Sequence, residues 1–576
     1  MTAVERAADG TVSVRAAAYA LDLPAAGGTV ARLHAGGRIW AGLRLLAALD
    51  PLGGGWDETV DVATPEVATD GAAALVTVAR TSTCWESAAT VLACHDDRIE
   101  VRAAVRGRGR PLHARVLAGR AAGAALPHGE LPSAAHFDTL FSPNPADPRR
   151  ITRSATESAV IGVTGDGQPG RGHWFFTPAP LCYAVSAAGD PAARWLTFAL
   201  VAPVEELTFT GWHYEAADGG FGFRLDYEGH TAVDGEFRTP PVVIGFGATD
   251  PYESLRRYAA PAPTGDDRPA WWYAPMFCGW GAQCHLARTR GGRAAEYSGA
   301  DEYDGFLAHL EERGVVPGTV VLDDKWQRSY GHPDPDPDSW PDLPGWIAAR
   351  HRRGQRVLLW WKAWDPEGLP AEWCVRDPAG RAVALDPEHP EARRALAATI
   401  RRMLSPDGHD ADGLKIDFTA DTPTGAALTH HGRSWGIALL HELLAVVYAA
   451  AKAAKPDALV VTHTPHPAFA GVTDMIRLND MLRLDDPELA AGPAVVEQMR
   501  YRAAVVAATL PGVPIDTDDW CAPDRASWRE YVRVKTALGV PALYYADHLD
   551  LTGEPLLPAD YAALRESWSA CRRGYE

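Results

Sequence analysis

Lys415 and Asp417 stand one residue apart in "GLKIDFT" (413–419), a run whose other large members, Leu414, Ile416 and Phe418, are apolar. A strand covered on both faces reads as nearly continuous Val, Ile and Leu, so two charges on one face mean either an internal ion pair or an inner end that meets a polar pocket. A carboxylate kept ionised by a neighbouring cation can act as a nucleophile, and a second carboxyl in a drier setting can act as an acid. Candidates for the partner groups lie at the ends of other apolar runs. They are Asp323, Asp324, Lys325 and Trp326 in "TVVLDDKW", Trp360, Trp361, Lys362 and Trp364 after "RVLL", and His463 and His466 after "ALVVT". Arg477 and Asp480 follow in "DMIRLND", then Asp516, Asp518 and Asp519 in "VPIDTDD", and Asp547 and His548 in "ALYYADH".

The elements that would carry these residues alternate in character. From 271 onward, short apolar runs ("APMFCGW", "TVVLDD", "RVLLWW", "GLKIDF", "ALVVTH", "DMIRLND", "VPIDTDD", "ALYYAD") are separated by helical patterns such as "DEYDGFLAHLEERG", "HPEARRALAATIRRML" and "AVVEQMRYRAAVVAATL". Eight such βα units predict a (β/α)8 TIM barrel, and every polar cluster falls at the C-terminal end of its strand, where barrels build their sites. Several carboxylates among tryptophans suit a carbohydrate: aromatic faces stack on sugar C–H surfaces and carboxylates accept from hydroxyls.

Residues 10 to 250 have another texture, with short alternating segments ("TVSVRAA", "ARWLTFALVA", "FGFRLDYEG", "PPVVIGFG") broken by Gly, Pro and Asp. Regular short strands between turn residues predict an antiparallel β-sandwich. "YAAPAPTGDDRPA" (258–270) reads as a linker, giving a sandwich domain over 1–262 and a barrel over 263–576.

In order and spacing, "VVLDDKWQRSYG", "DSWPDLPGWIAARHRRGQRVLLWWKAWDPEG", "GLKIDFT" and "MIRLND" resemble the strand-end motifs of the melibiase clan of retaining glycoside hydrolases. That clan holds the α-galactosidases, raffinose-synthase-like proteins and the α-glucosidase/α-xylosidase family. The α-galactosidase branch carries Asp-Asp-Gly-Trp on strand two, Lys-x-Asp on strand four, and an Arg followed by the acid/base Asp on strand six. The resemblance spans roughly 270 to 550 and implies a retaining α-glycosidase with Asp417 as nucleophile and Asp480 as acid/base. It further implies that Asp323, Asp324 and Trp326 hold the nonreducing sugar, with Lys415 and Arg477 beside it. Trp361, His463 and Asp518, all near strand ends, complete the candidate sugar-binding set. Lys325 departs from the pattern by replacing the Gly of Asp-Asp-Gly-Trp, which leaves the sugar open: galactose, glucose, xylose or an anionic sugar. "RLNDMLRLDD" also offers Asp485 and Asp486 as acid/base, and the C-terminal β-domain common in the relatives is not expected after the eighth helix.

Other readings stay open at this stage. His463, His466, Asp323, Asp516 and Asp518 would be the ligands of a metal-dependent TIM-barrel hydrolase; a transglycosylase or a non-catalytic sugar-binding relative would keep the same pocket. His463 and His466 fit a supporting role as well as a binding one, and Asp516, Asp518 and Asp519 fit helix caps as well as hydroxyl acceptors. The glycosidase reading needs no metal or cofactor. A formal charge of −19, with "RGRGR" (106–110) as the densest basic run and read as a hairpin turn, argues against nucleic acid. The apolar stretch "GIALLHELLAVVYAAAKAAK" holds His441, Glu442 and two lysines and is expected to be a barrel helix, not a membrane span. Eight scattered cysteines lack metal-finger spacing and are expected to be reduced, and "MTAVERAADG" lacks a signal-peptide pattern, so a cytoplasmic protein is expected. Homo-oligomerisation is left open.

Overall fold

The computed structural model describes residues 2–8, 11–25, 27–35, 38–123, 129–130, 139–143, 149–150, 157–164, 176–186, 194–217, 220–262, 268–332, 334–481 and 495–575. Its N-terminal half is two large sheets, of eleven and twelve strands among the described residues, paired almost wholly antiparallel. Strand Arg98–Gly109 shows why: buried Ile99, Val101, Ala103 and Val105 alternate with half-buried polar positions, the period-two pattern of a sheet with one packed face. The sheets meet through aromatic rings, Tyr183 against Trp212 at 4.6 Å and Phe198 against Phe223 at 4.8 Å, with one partner from each sheet. The sandwich is therefore as expected. The hairpin reading of "RGRGR" is corrected: 106–109 continue the strand and pair with the strand Val233–Arg238, where Arg108 meets Asp234 at 2.8 Å. Of the predicted linker, residues 263–267 lie outside the described residues.

The C-terminal half is a parallel eight-stranded sheet: β1 (Met276–Cys278), β2 (Thr319–Leu322), β3 (Arg356–Lys362), β4 (Gly413–Asp417), β5 (Leu459–Thr462), β6 (Met475–Arg477), β7 (Ile515–Asp516) and β8 (Ala542–Leu543). Strands follow one another in order, β8 pairs back onto β1, and a single parallel bridge, Asp516 to Val540, joins the β7 and β8 segments. A right-handed run of βα units closing on itself is the (β/α)8 barrel.

Helix boundaries follow local chemistry. Leu343–Arg352 starts where the Asp342 carboxylate accepts from Gly345 N at 3.0 Å, with Pro344 in the first turn, and ends with Arg350, His351 and Arg352 facing the negative end of the dipole. Gly436–Ala454 is long and apolar enough by composition to cross a membrane. Here it flanks the barrel, with Ile437, Leu440, Leu444 and Val447 buried, and its first turn takes a backbone hydrogen bond from Ala438 N to Leu207 O of the sandwich. A second tie between the halves runs from Thr177 N to His463 O at 3.1 Å. All eight cysteines are free thiols.

Candidate active site

Strand register decides which side chains point inward. Partners in a parallel ladder share a face, and the pairs Trp360–Lys415, Lys362–Asp417, Lys415–Val461, Val461–Met475 and Arg477–Asp516 carry one parity around the barrel. Lys415, Asp417 and Arg477 are thus brought to one inner rim, together with Trp360 and Lys362. Trp361 is not. It has the opposite parity, is 4% exposed, and lines a cleft of about 370 Å³ between β3 and helix Pro390–Leu404 with Trp364, Trp373 and Leu396, bordered by Tyr330. Trp361 is therefore not brought to the inner rim; the tryptophan on that face is Trp360, itself buried, which meets Asp417 through its indole N–H.

The lower part of the site is an ion pair that involves neither catalytic candidate. Lys415 Nζ donates to Asp323 Oδ2 at 2.6 Å, and the Cys278 thiol donates to the same oxygen at 3.0 Å. Burial alone would lower the Lys415 pKa, yet Asp323 overrides it and holds the ammonium charged above its ordinary range. Lys415 therefore pairs across the barrel to β2, and its sequence neighbour Asp417 finds a different partner.

That partner is Arg477, whose guanidinium carries the upper part of the site. Nη2 donates to Asp417 Oδ1 at 3.0 Å, while Nη1 donates to Asp518 Oδ2 at 2.8 Å and Asp480 Oδ1 at 3.3 Å. Asp417 also accepts from Phe418 N at 2.9 Å and from the Trp360 indole at 3.3 Å. Burial opposes its charge, but Arg477 and Lys415 prevail and keep the carboxyl well below the usual carboxylate range. Asp480 goes the other way: burial, reinforced by Asp518 and Asp417, outweighs Arg477 and pushes it up to about 7. Both side chains keep about a quarter of their surface exposed, 25% and 23%, so a ligand can reach them.

The turn that presents Asp480 is built by a residue that sequence spacing did not single out. Arg502, buried on helix Val495–Thr509, donates from one nitrogen to the carbonyls of Leu478, Asn479 and Asp480, at 2.7, 3.0 and 2.6 Å. Left-handed backbone recurs at these strand ends: Trp364 (φ 71°), Phe418 (60°), Asn479 (66°) and Asp518 (42°). Non-glycine residues in that region are uncommon and cluster where structure serves a site.

Several candidates support the site from behind. Asp518 is fully buried, held by Arg477, by the Tyr544 hydroxyl at 3.1 Å and by Trp520 N at 2.8 Å, so it orients the guanidinium and offers no surface to a sugar. Trp326 is also fully buried and donates its indole N–H to Trp360 O at 2.8 Å, which makes it a wall behind Trp360. His463, 3% exposed, has Nε2 at 2.6 Å from the Thr419 hydroxyl. Asp519 is taken up by Lys535 at 2.8 Å and the Trp528 indole at 2.9 Å. Asp324, partly exposed, accepts from the Tyr330 hydroxyl at 2.8 Å and is raised to about 6, chiefly by burial. Lys325 reaches Glu367 at 2.8 Å and lies 4.2 Å from the Tyr330 ring, which Lys362 approaches from 4.5 Å. Tyr330 and the exposed Phe418 ring form the aromatic rim, each packed edge-on against the buried Trp360. Asp485 and Asp486 lie outside the described residues.

The rival metal set is not assembled. His466 Nδ1 accepts from Ala468 N at 3.1 Å, His463 faces Thr419, and Asp323 and Asp518 are engaged by Lys415 and Arg477. A dication among these groups would have to displace two buried cations.

No protein-family model matches the chain, and no curated protein matches it in sequence. Solved structures match in fold. A GH31 family sulfoquinovosidase from E. rectale in complex with an aza-sugar inhibitor has a TM-score of 0.59 and 11% identity, over 97% of this chain and 82% of its own. An alpha-galactosidase from Thermus thermophilus in complex with stachyose has a TM-score of 0.52 and 18% identity, over 88% and 99%. A GH31 dextranase from Flavobacterium johnsoniae complexed with glucose has 0.51 and 12%, over 99% and 67%. The chain thus has the sandwich-and-barrel fold of these glycoside hydrolases.

Proposed function

We propose that the protein is a retaining glycoside hydrolase that releases terminal α-linked sugars, with Asp417 as nucleophile and Asp480 as acid/base. The observation that carries the reading is the Arg477 guanidinium gripping both carboxyl groups while their surroundings drive their proton affinities apart, the division of labour that a carboxylate pair needs. Asp417, ionised, attacks the anomeric carbon, and Asp480, protonated, gives its proton to the departing oxygen. Asp480 then takes a proton from water, which displaces Asp417 from the glycosyl ester. Two carboxyls held by adjacent nitrogens of one guanidinium suit the gap of about 5–5.5 Å of a retaining pair better than the wider inverting gap.

The sugar would meet the exposed parts of Asp417 and Asp480 and, around them, the Asp324, Tyr330 and Phe418 side chains, while the buried Trp360, Asp323 and Lys415 support the site from beneath. Together with the fold shared with an alpha-galactosidase and the Lys-x-Asp and Arg-x-x-Asp spacing, this supports an α-galactosidase-like specificity. A panel of aryl α-glycosides that differ in the sugar, with the first-formed anomer followed by NMR, tests both statements. Initial release of the α-anomer is expected. A β-anomer first, or no turnover on any α-glycoside, refutes the mechanism.

A further inference from the structure

A second cluster of chemistry-bearing side chains lies beyond the catalytic pair. His285 is on helix Trp280–Arg290, which follows β1, and Asp547 and His548 follow β8. Because β1 and β8 are paired neighbours, the helix and the loop rise side by side from the rim. One ligand atom from each of the three residues lies within 4.8 Å of the others. The two imidazole rings stack with centroids 4.4 Å apart and planes 2° from parallel, and His548 Nδ1 is 3.2 Å from Asp547 Oδ2. His285 Nδ1 is buried and has no hydrogen-bond partner, a cost that a bound ligand would remove.

We propose that His285, Asp547 and His548 form a binding site for a first-row transition-metal dication such as Zn²⁺, which pins the loop after β8 to the helix after β1. Two imidazoles and one carboxylate are a common three-residue donor set for such ions, with water in the fourth position, and they disfavour Mg²⁺ and Ca²⁺, which prefer all-oxygen shells. The two rings are parallel, so their in-plane lone pairs do not converge until the partly exposed His548 ring turns toward His285 Nδ1, a rotation that binding of the ion requires. The scaffold is already braced: Arg288, one turn along the helix, donates to Asp550 O at 2.8 Å, and Leu549 N and Leu556 N hold the loop through Glu554 O and Asp547 O. Both His548 and Asp547 are about a third or more exposed (34% and 42%), so an ion can enter.

The test is calorimetric titration of ZnCl₂ into metal-stripped full-length protein, with thermal melts in Zn²⁺, Ni²⁺ and Mg²⁺. One equivalent of Zn²⁺ is expected to bind, with a melting temperature that rises with Zn²⁺ and not with Mg²⁺, since a ligand specific to the folded state stabilises it by mass action. His548→Ala and His285→Ala should each weaken binding at least ~10-fold. Asp547→Asn, an exposed and nearly isosteric change, provides the same test should either alanine variant fold poorly. No saturable binding, or binding that all three variants leave unchanged, overturns the site. Glycoside turnover is not the readout, so this result stands apart from the proposed function.

Discussion

At the residue scale, the Asp417–Arg477–Asp480 arrangement makes opposite demands on two chemically identical side chains. Asp417→Asn keeps the shape and removes the nucleophile; turnover on an aryl α-glycoside should fall by about three orders of magnitude or more with the circular dichroism spectrum unchanged. Asp480→Asn should cost about 10²–10⁴-fold on substrates with poor leaving groups and far less on activated aryl glycosides. The pH profile carries the sign of the shift. Asp480 must be protonated to act, so kcat/KM should decline as pH rises through about 7, and that limb should vanish in Asp480→Asn. Stability follows the same group: with its folded value raised, its contribution to folding is fully present below about pH 4 and is lost as pH rises through the folded value. Thermal melts should therefore show Asp480→Asn gaining more over wild type at about pH 8 than at about pH 5.

At the element scale, parity separates two adjacent tryptophans. Trp360→Phe keeps a ring but removes the indole N–H that Asp417 accepts, so it should lower kcat more than it changes KM. Trp361→Ala should leave KM unchanged and cost about 3–5 kcal/mol of stability, measured by denaturant unfolding. The eight strands, their order and the polar residues at their ends were legible in the sequence because buried parallel strands are runs of apolar residues that stop at the pocket. The inward face of "WW" was not, since a two-residue run fits either parity; Lys362, two residues from Trp360 and an outlier in an apolar strand, was the available clue. Lys415 and Asp417 do share one face of their strand, but their partners, Asp323 and Arg477, come from other strands. Arg502, Tyr330 and Tyr544 reach the site from a helix, a loop and a strand end with no local pattern to mark them. Asp518 and Trp326 look from sequence like sugar contacts and prove to be buried supports, a distinction that only packing draws.

At the scale of the whole molecule, the acidic groups of the pocket are engaged by Lys415 and Arg477, and the proposed double displacement runs on these side chains alone. Exhaustive dialysis against a chelator should leave turnover intact while lowering the melting temperature of any Zn²⁺-loaded protein, which places the two sites on separate readouts. The barrel's weakest joint is the other molecular feature with consequences. β7 and β8 are two residues each, and the backbone ladder between their segments is the one Asp516–Val540 bridge, supplemented by side-chain links such as Ala542 N to the Thr517 hydroxyl and Tyr544 N to the Asp519 carboxylate. Peptide N–H groups there, Val540 above all, should exchange with deuterium sooner than those of β3 and β4, because so short a seam has little to resist local opening. Asp516 and Asp518 lie along that seam, so each opening event would slacken the hold on Arg477. Gradual warming should then silence the enzyme while the sandwich still gives its full far-ultraviolet spectrum, with inactivation running ahead of melting.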